Sequence, residues 1–438
     1  MSGSGLTARL GFFDPVAAHL RRITGPLRDN RRFRRYFIAN QVNAAGTTME
    51  VGALAFTVLA SGGGPSGIAM VLMANMVTGI LVSPLAGVAA DRLPRAAIIA
   101  VVQVIIGLVT VTECVVIFAG RAQVWNLAAL AATNSAAASF SSPAQTGLMS
   151  VIVPKDQLGE ANALAQLSRH TIVTIGPAIG GTIVATAGAG YGVGLNATSF
   201  FASALLIAGI RAPRVPRQVA GIRADLIEGW RAVRTRSWIW TCLTGTAVMV
   251  PAWHIGYGIL GPPWAKAHFG GAWAWGLIAS SLGCGMAAGA AVSLLWRPRR
   301  AGWVNCLGAA ALAIPDPLMA AGAPLPVVMA AVVVAAAGLS VSTVVWQTAV
   351  QQLVPVDQQG RVSAFVSIGE ISLAPAGYLL VAPATGAIGV RGTLLGCGLV
   401  LAVANLAPLC SRDVRALTLL DTPPREDKGT TDAISAVP

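Results

Sequence analysis

Apolar residues along this chain fall in long blocks rather than in stripes. Twelve such blocks are separated by short turns rich in Gly, Pro and Arg: Tyr36 to Leu59, Gly67 to Ala90, Ala96 to Phe118, Val124 to Ile152, Ala161 to Ala187, Tyr191 to Ile210, Trp238 to Pro262, Ala272 to Trp296, Trp303 to Gly322, Leu325 to Val354, Val362 to Ala384 and Thr393 to Cys410. A helix of about 20 apolar residues crosses the ~30 Å hydrocarbon layer of a bilayer. The pattern therefore predicts an all-α polytopic membrane protein with twelve transmembrane helices. It also divides the chain into a basic tail over 1–35, a six-helix half over 36–210, a linker over 211–237, a second six-helix half over 238–410 and a tail over 411–438. The last of these, rich in Pro, Asp and Thr, reads as disordered.

Composition agrees, since 55% of the 438 residues are hydrophobic and only 11% are charged, which excludes an ordinary soluble fold. The net charge of +13 raises the question of nucleic acid, and the positions of the basic residues answer it. Of 30 Lys and Arg, only Arg121, Lys266 and Arg391 fall in loops on one side, and only Arg169 lies within a block. The rest occupy the termini and the loops of the other side, the bias that marks cytoplasmic loops. The charge orients the chain in a membrane with both termini cytoplasmic, and no nucleic-acid partner is expected. The basic tail, including Arg31, Arg32, Arg34 and Arg35, favours the anionic inner membrane surface.

Six cysteines stand singly in apolar blocks and four histidines form no metal or catalytic spacing, so neither a metal site nor an enzyme is expected, and no cofactor. Residues 1 to 35 contain no apolar run of signal-peptide length, and the first block would itself direct insertion. Trp238, Trp264, Trp273 and Trp303 lie near block ends, as interfacial anchors do.

Polar residues inside the blocks carry the functional expectations. In the first, Asn40, Asn43, Thr47 and Glu50 share an arc of about 80° on a helix. A carboxylate near mid-bilayer is costly and by default functional, which singles out Glu50. Glu113, near the end of the third block, reads as an acid reached by water. The fourth block presents Ser135, Ser139, Ser142, Thr146 and Ser150 on one narrow face, expected to line a wet cavity. The fifth holds Gln166, Arg169 and His170, then Gly176-Pro177-Ala-Ile-Gly180-Gly181. Gly176 and Gly180 permit close helix approach, with Gly285 and Gly289 as a partner of the same spacing. Asp316, between Pro315 and Pro317, reads as a break at the outer interface. Leu226, Trp230 and Val233 form an apolar stripe beside Arg223, Arg231 and Arg234, an amphipathic helix on the cytoplasmic surface.

The chain repeats itself. Val153-Pro-Lys-Asp156-Gln157-Leu-Gly159 returns as Val354-Pro-Val-Asp357-Gln358-Gln-Gly360, an offset of 201 residues. That offset carries Ser139, Ser142 and Thr146 onto Ser340, Thr343 and Gln347, giving the second half its own polar stripe. It also carries Arg169 onto Glu370, placing opposite charges at equivalent positions that are expected to face a cavity between the halves. Both halves start on the same side, so the repeat is parallel.

Between the second and third blocks lies Gly87-Val-Ala-Ala-Asp91-Arg92-Leu-Pro-Arg95. Its Gly-x-x-x-Asp-Arg-x-x-Arg spacing resembles the loop motif of the major facilitator superfamily, and Gly176-Pro177-x-x-Gly180-Gly181 resembles the antiporter motif of its exporters. Phe33-Arg-Arg, Asp225-Leu-Ile-Glu-Gly-Trp230-Arg and Gly360-Arg-Val-Ser363 are similar to the macrolide-efflux and enterobactin-exporter branch of bacterial proteins. The resemblance covers about residues 33 to 412. It implies a monomer in the bacterial cytoplasmic membrane that exports a small drug, antibiotic or siderophore-like molecule in exchange for protons, with Gly87, Asp91, Arg92 and Arg95 as the gate. It further implies that helices 1, 4, 7 and 10 surround the cavity, lined here by Asn40, Asn43, Thr47, Ser139, Ser142, Thr146, Ser340, Thr343 and Gln347. Glu50, then Glu370 facing Arg169, are the candidate proton carriers, because a carboxyl removed from water pays most for its charged form. An importer or lysolipid flippase of the same fold, and a sensor or scaffold that transports nothing, remain open alternatives.

Overall fold

The structure is a computed structural model and describes residues 27–50, 52–154, 157–210, 231, 233–296, 298–355, 362, 366, 369–370 and 373–419. Apart from one isolated bridge between Arg300 and Thr418, the regular structure of these residues is helical. The first half comprises α1 (Arg31–Glu50), α2 (Ala53–Ala60), α3 (Gly64–Arg92), α4 (Arg95–Phe118), α5 (Val124–Ser139), α6 (Ser141–Ile152), α7 (Leu158–Thr186) and α8 (Ala189–Ala208). The second comprises α9 (Ser237–Trp253), a π-helical stretch (His254–Leu260), α10 (Gly261–His268), α11 (Ala272–Leu295), α12 (Ala301–Ala310), a 3-10 turn (Ala311–Ala313), α13 (Pro315–Ala320), α14 (Leu325–Leu353), α15 (Ala374–Leu406) and, beyond a second 3-10 turn, α16 (Arg412–Arg415).

Among the described residues, eight helices are long and apolar enough to cross a membrane. Of the other predicted segments, the fifth is the continuous α7, and the fourth and seventh are jointed. α5 and α6 meet at a bend at Phe140, and α9 passes through the π stretch into α10. Ala374–Cys410 runs for 37 residues, about 55 Å if straight and far more than a bilayer requires. Gly389 interrupts it at φ 70°, ψ 171°, a conformation that favours glycine, so this stretch is two arms. The repeat also shows in the backbone: Gly120 and Gly322, both at positive φ, end α4 and the α12–α13 unit at nearly the repeat offset.

Local chemistry sets the helix starts. Asn30 accepts hydrogen bonds at Oδ1 from the amides of Arg32 and Phe33, both 3.0 Å, satisfying two donors of the first turn of α1. Its Nδ2 donates to the Ile152 carbonyl at 2.6 Å, tying the start of α1 to the end of α6. Arg35 donates to the Gly209 carbonyl at 2.8 Å beyond α8.

Three buried clusters describe the packing. At the end bearing the termini, Phe33, Ile99, Leu148 and Ile207 belong to a core made only of first-half residues, and Ile239, Val345, Val362 and Val414 to one made only of second-half residues. At the opposite end, Val58, Ile68 and Leu127 of the first half pack in one cluster with Ile259, Leu260, Trp275 and Tyr378 of the second. The halves are thus joined at one end and keep separate cores at the other. The tail expected to be disordered from 411 begins with packed residues, because Val414 of the short α16 turn and Leu417 just beyond it are buried in the second-half core. Asp413 accepts a hydrogen bond from Ser237, and Gly302 lies directly against Val414. The amphipathic linker helix lies outside the described residues except at its end, where Val233 is buried.

Candidate functional site

The polar arc of the first predicted span ends with α1, and Gly52, whose backbone is still in the helical region at φ −88°, ψ −28°, leads into α2. Glu50 is the last residue of α1, and α2 starts at Ala53. The Glu50 carboxylate accepts a hydrogen bond from Nδ2 of Asn196 on α8. Asn196 is buried, and the Ser199 hydroxyl donates to its backbone carbonyl at 2.7 Å. About two turns earlier on α1, Asn43 donates to Oε1 of buried Gln103 on α4 at 3.0 Å. Gly46 between them brings α1 close to α8: a Cβ there would lie 2.6 Å from Ser199 Cβ and 2.7 Å from Asn196 Oδ1. The polar arc therefore turns Asn43 and Glu50 into the first half itself, while Thr47 is exposed and Asn40 half-buried.

Glu113 of α4 joins this cluster. It was expected to meet water, yet it is 5% exposed, because α8 packs along α4 and covers it. Its Oε1 is buried without a hydrogen-bond partner among the described residues, and the Asn43–Gln103 bond sets α1 beside α4 so that Glu50 and Glu113 lie within about one helical turn of the same level. Neither carboxyl pairs with a cation among the described residues. Two neighbouring carboxylates in so dry a place repel each other, and the cluster is suited to holding a proton.

α7 connects this cluster to the second half. A Cβ on Gly180 would overlap the Met49 backbone, the residue before Glu50, and one on Gly176 would overlap Thr48. The other face of α7 meets α11: a Cβ on Gly181 would lie 2.9 Å from Gly276 Cα, and one on Gly283 2.6 Å from Thr174 Cα. Pro177 lies inside the helix, and its carbonyl faces Gly276. The Gly-Pro-x-x-Gly-Gly segment is thus the thin layer between the Glu50 helix and the other half. Its partner on α11 is not the predicted pair. Gly276 and Gly283, seven residues apart, lie about 20° from one another, whereas Gly285 is about 180° round from Gly276. Gly285 and Gly289 accordingly pack on α14, against Val333, Ala337 and Ser340.

The second half contains a cavity of about 380 Å³ at the end bearing the termini. Thr343, Gln347 and Glu370 line it, together with Thr246, Asn305, Ser342, Trp346 and Asn405, which sequence reasoning did not single out. Ser342 donates to Asn305 Oδ1 at 3.0 Å. Asn305 stands at nearly the repeat offset from Gln103, the one signal in the sequence that pointed to it. Ser340 is buried against α11, and Arg169 is exposed and is not part of this lining. Ser139 donates to the carbonyls of Ser135 at 2.9 Å and of Gly79 on α3 at 3.3 Å, a helix-packing role. Asp316 lies in the predicted break but faces inward: it is wholly buried against Gly256 of the π stretch, and both carboxyl oxygens lack hydrogen-bond partners among the described residues.

Several predicted positions can be placed only by their backbone. Gly87, Asp91 and Arg92 close α3, and Arg95 opens α4; Ser142, Thr146 and Ser150 lie on α6 and Gln166 on α7. Apart from Arg95, their side chains lie outside the described residues, as do Asp156, Asp357, Gln358 and residues 225–230. Among the described residues there is no group of His, Cys, Asp and Glu able to hold a metal ion.

Comparison with known proteins accords with this architecture. Over 417 residues the chain is 27% identical to the multidrug efflux pump Tap of Mycobacterium tuberculosis, covering 89% of this chain and 94% of Tap. Over 198 residues it is 24% identical to YfiS of Bacillus subtilis, an uncharacterized MFS-type transporter, of whose length the match spans 46%. Its fold is similar to the crystal structure of a bacterial homologue of the iron transporter ferroportin in an inward-facing state, with a TM-score of 0.66 and 16% identity over 86% of this chain and 98% of that one. The family profile described as Major Facilitator Superfamily matches residues 36–377. A chain built of apolar helices in two repeated halves, and matched by that profile over most of its length, belongs to the Major Facilitator Superfamily.

Proposed function

We propose that this membrane transporter exports a small amphipathic organic molecule of the drug, antibiotic or siderophore type in exchange for protons, by alternating access of its two halves across twelve membrane crossings. The observation that carries this reading is the placement of Glu50: its carboxylate is held by Asn196, and the backbone beside it touches the α7 glycine face whose reverse packs on α11 of the other half. Adding or removing a proton there changes the charge one helix away from the contact between the halves, so it biases the rocking equilibrium through α7. Similarity to Tap over nearly the whole chain supports efflux. With the basic termini on the cytoplasmic side, the mixed cluster closes the outer end and leaves the inner end to admit cargo, with Gly87, Asp91, Arg92 and Arg95 as the inner gate. The cavity bordered by Glu370, Gln347 and Trp346 suits a neutral or cationic ligand with an aromatic or apolar body.

The test is reconstitution of the monomer in liposomes with an inward pH gradient and a trapped pH dye, challenged with amphipathic cations, macrolides and siderophores. Proton flux evoked by one compound and absent in Glu50→Gln is the expected result. Substrate movement without proton flux would refute antiport, uptake against the expected direction would refute export, and equal flux in Glu50→Gln would remove Glu50 from the coupling.

A further inference from the structure

Glu113 has no part in the reading above, and its surroundings give it one. It lies on α4 with one carboxyl oxygen buried and unpartnered among the described residues, and the Asn43–Gln103 bond holds α1 beside α4 in a register that brings Glu50 to within about one helical turn of its level. One turn further along α4, Ile117 borders an open cleft of about 580 Å³ at the end opposite the termini. Thr57 of α2, Val184 of α7 and Lys266 beyond the π stretch border the same cleft. The buried carboxyl thus stands one helical turn below solvent, and Glu50 lies beyond it. Of the helices packed along α4, α5 and α6 carry no titratable side chain and α8 carries only Tyr191, which is exposed against Phe118. On α4 itself Cys114 is the neighbour, and its thiol donates to the Gly190 carbonyl at 3.4 Å. Glu50 is therefore the one acid facing Glu113 from another element among the described residues.

We propose that Glu113 is a second proton-binding carboxyl, which shares one proton with Glu50 and exchanges it with the cleft at the end opposite the termini. Asn196 donates to the Glu50 carboxylate, while the free oxygen of Glu113 has no donor among the described residues and so has room for a proton. Transfer between the two moves a proton from Glu113 oxygen to Glu50 oxygen, and the charge returns to Glu113, where the cleft supplies the next proton. The inference extends the proton-antiport reading, and its first test does not depend on that reading.

In the first test, the purified full-length protein in detergent is treated with dicyclohexylcarbodiimide, which reacts with protonated buried carboxyls, and the modified residue is located by mass spectrometry. Modification at Glu113 that changes in Glu50→Gln is expected. Absence of modification at Glu113, or labelling indifferent to Glu50, overturns the proposal even if no substrate has been found. The second test uses a compound that the wild type exchanges for protons. Glu113→Gln is expected to lower pH-driven accumulation at least about fivefold, the lower end of ordinary coupling energies, while substrate counterflow, which needs no net proton movement, is retained. Glu113→Asp is expected to recover part of the accumulation. Wild-type accumulation and proton stoichiometry in Glu113→Gln would overturn the proposal.

Discussion

The close contact between α7 and α11 predicts that one methyl group at Gly276 shifts the balance between the transporter's conformations. A Cβ there would lie 3.1 Å from Gly181 Cα and 3.3 Å from the carbonyl carbon of Pro177, and would overlap the Pro177 oxygen; ordinary contact for a Cβ begins at 3.4 Å. The obstruction is backbone, so it is relieved by parting the helices by up to about 1 Å, and overpacking of this kind costs typically about 1–3 kcal/mol. Because α7 and α11 belong to different halves, the cost falls on the arrangement in which they touch. At about 1.4 kcal/mol per factor of ten, Gly276→Ala should raise the population open at the end opposite the termini by roughly five- to 150-fold. The assay is maleimide labelling of Val58→Cys, in the sealed layer, in a background lacking the six native cysteines. Gly285→Ala is the control: it obstructs α11 against α14 within one half, so it should lower the melting temperature without raising labelling. Equal labelling of Gly276→Ala and its parent, or an equal rise in Gly285→Ala, would refute the reasoning.

Asn196→Leu removes the donor to Glu50 and should cost about 1–3 kcal/mol of stability, read as a lower melting temperature; in a Glu50→Leu background, where no buried acceptor is left stranded, the same change should cost clearly less. Asn30→Ala removes the cap of α1 and its tie to α6, and should cost about 1 kcal/mol by thermal unfolding in detergent, while Asn30→Asp keeps the cap and loses only the tie. For any compound that proves to be cargo, Gln347→Leu should raise KM a few fold with little change in maximal rate, since one neutral hydrogen bond to a bound ligand is worth about 1 kcal/mol; an unchanged KM would place the cargo elsewhere.

Block hydrophobicity made most of the helices legible before any coordinates, because a lipid-facing helix must be apolar on nearly every face. The 201-residue offset was equally readable, and Gly120 and Gly322 repeat it in the backbone. What the sequence withheld was partnership. An arc of about 80° on α1 says that Asn43 and Glu50 share a side, but not that Gln103 and Asn196 stand there rather than water. Glu113 is five residues from the end of its block and reads as wet from that distance alone; packing of α8 against α4 keeps it dry. Gly285 and Gly289, four apart, mark one face of α11 that can be approached closely, and Gly276 and Gly283, seven apart, mark another. Which one meets α7 depends on the helix's rotation in the bundle, which residue spacing does not encode. The π stretch opposite Asp316 has no sequence signal comparable to a proline or a charged gap.

The short α16 turn bears on how this protein can be handled. Val414 and Leu417 complete the base of the second half, Asp413 holds Ser237 at the start of α9, and Thr418 bridges Arg300. A fluorescent reporter or affinity tag joined beyond Leu419 leaves these contacts whole, whereas a stop codon placed at the end of the last apolar block, after Cys410, strips the seal beneath α9 and α12. A truncation that keeps these contacts therefore ends nine residues later than hydropathy would advise.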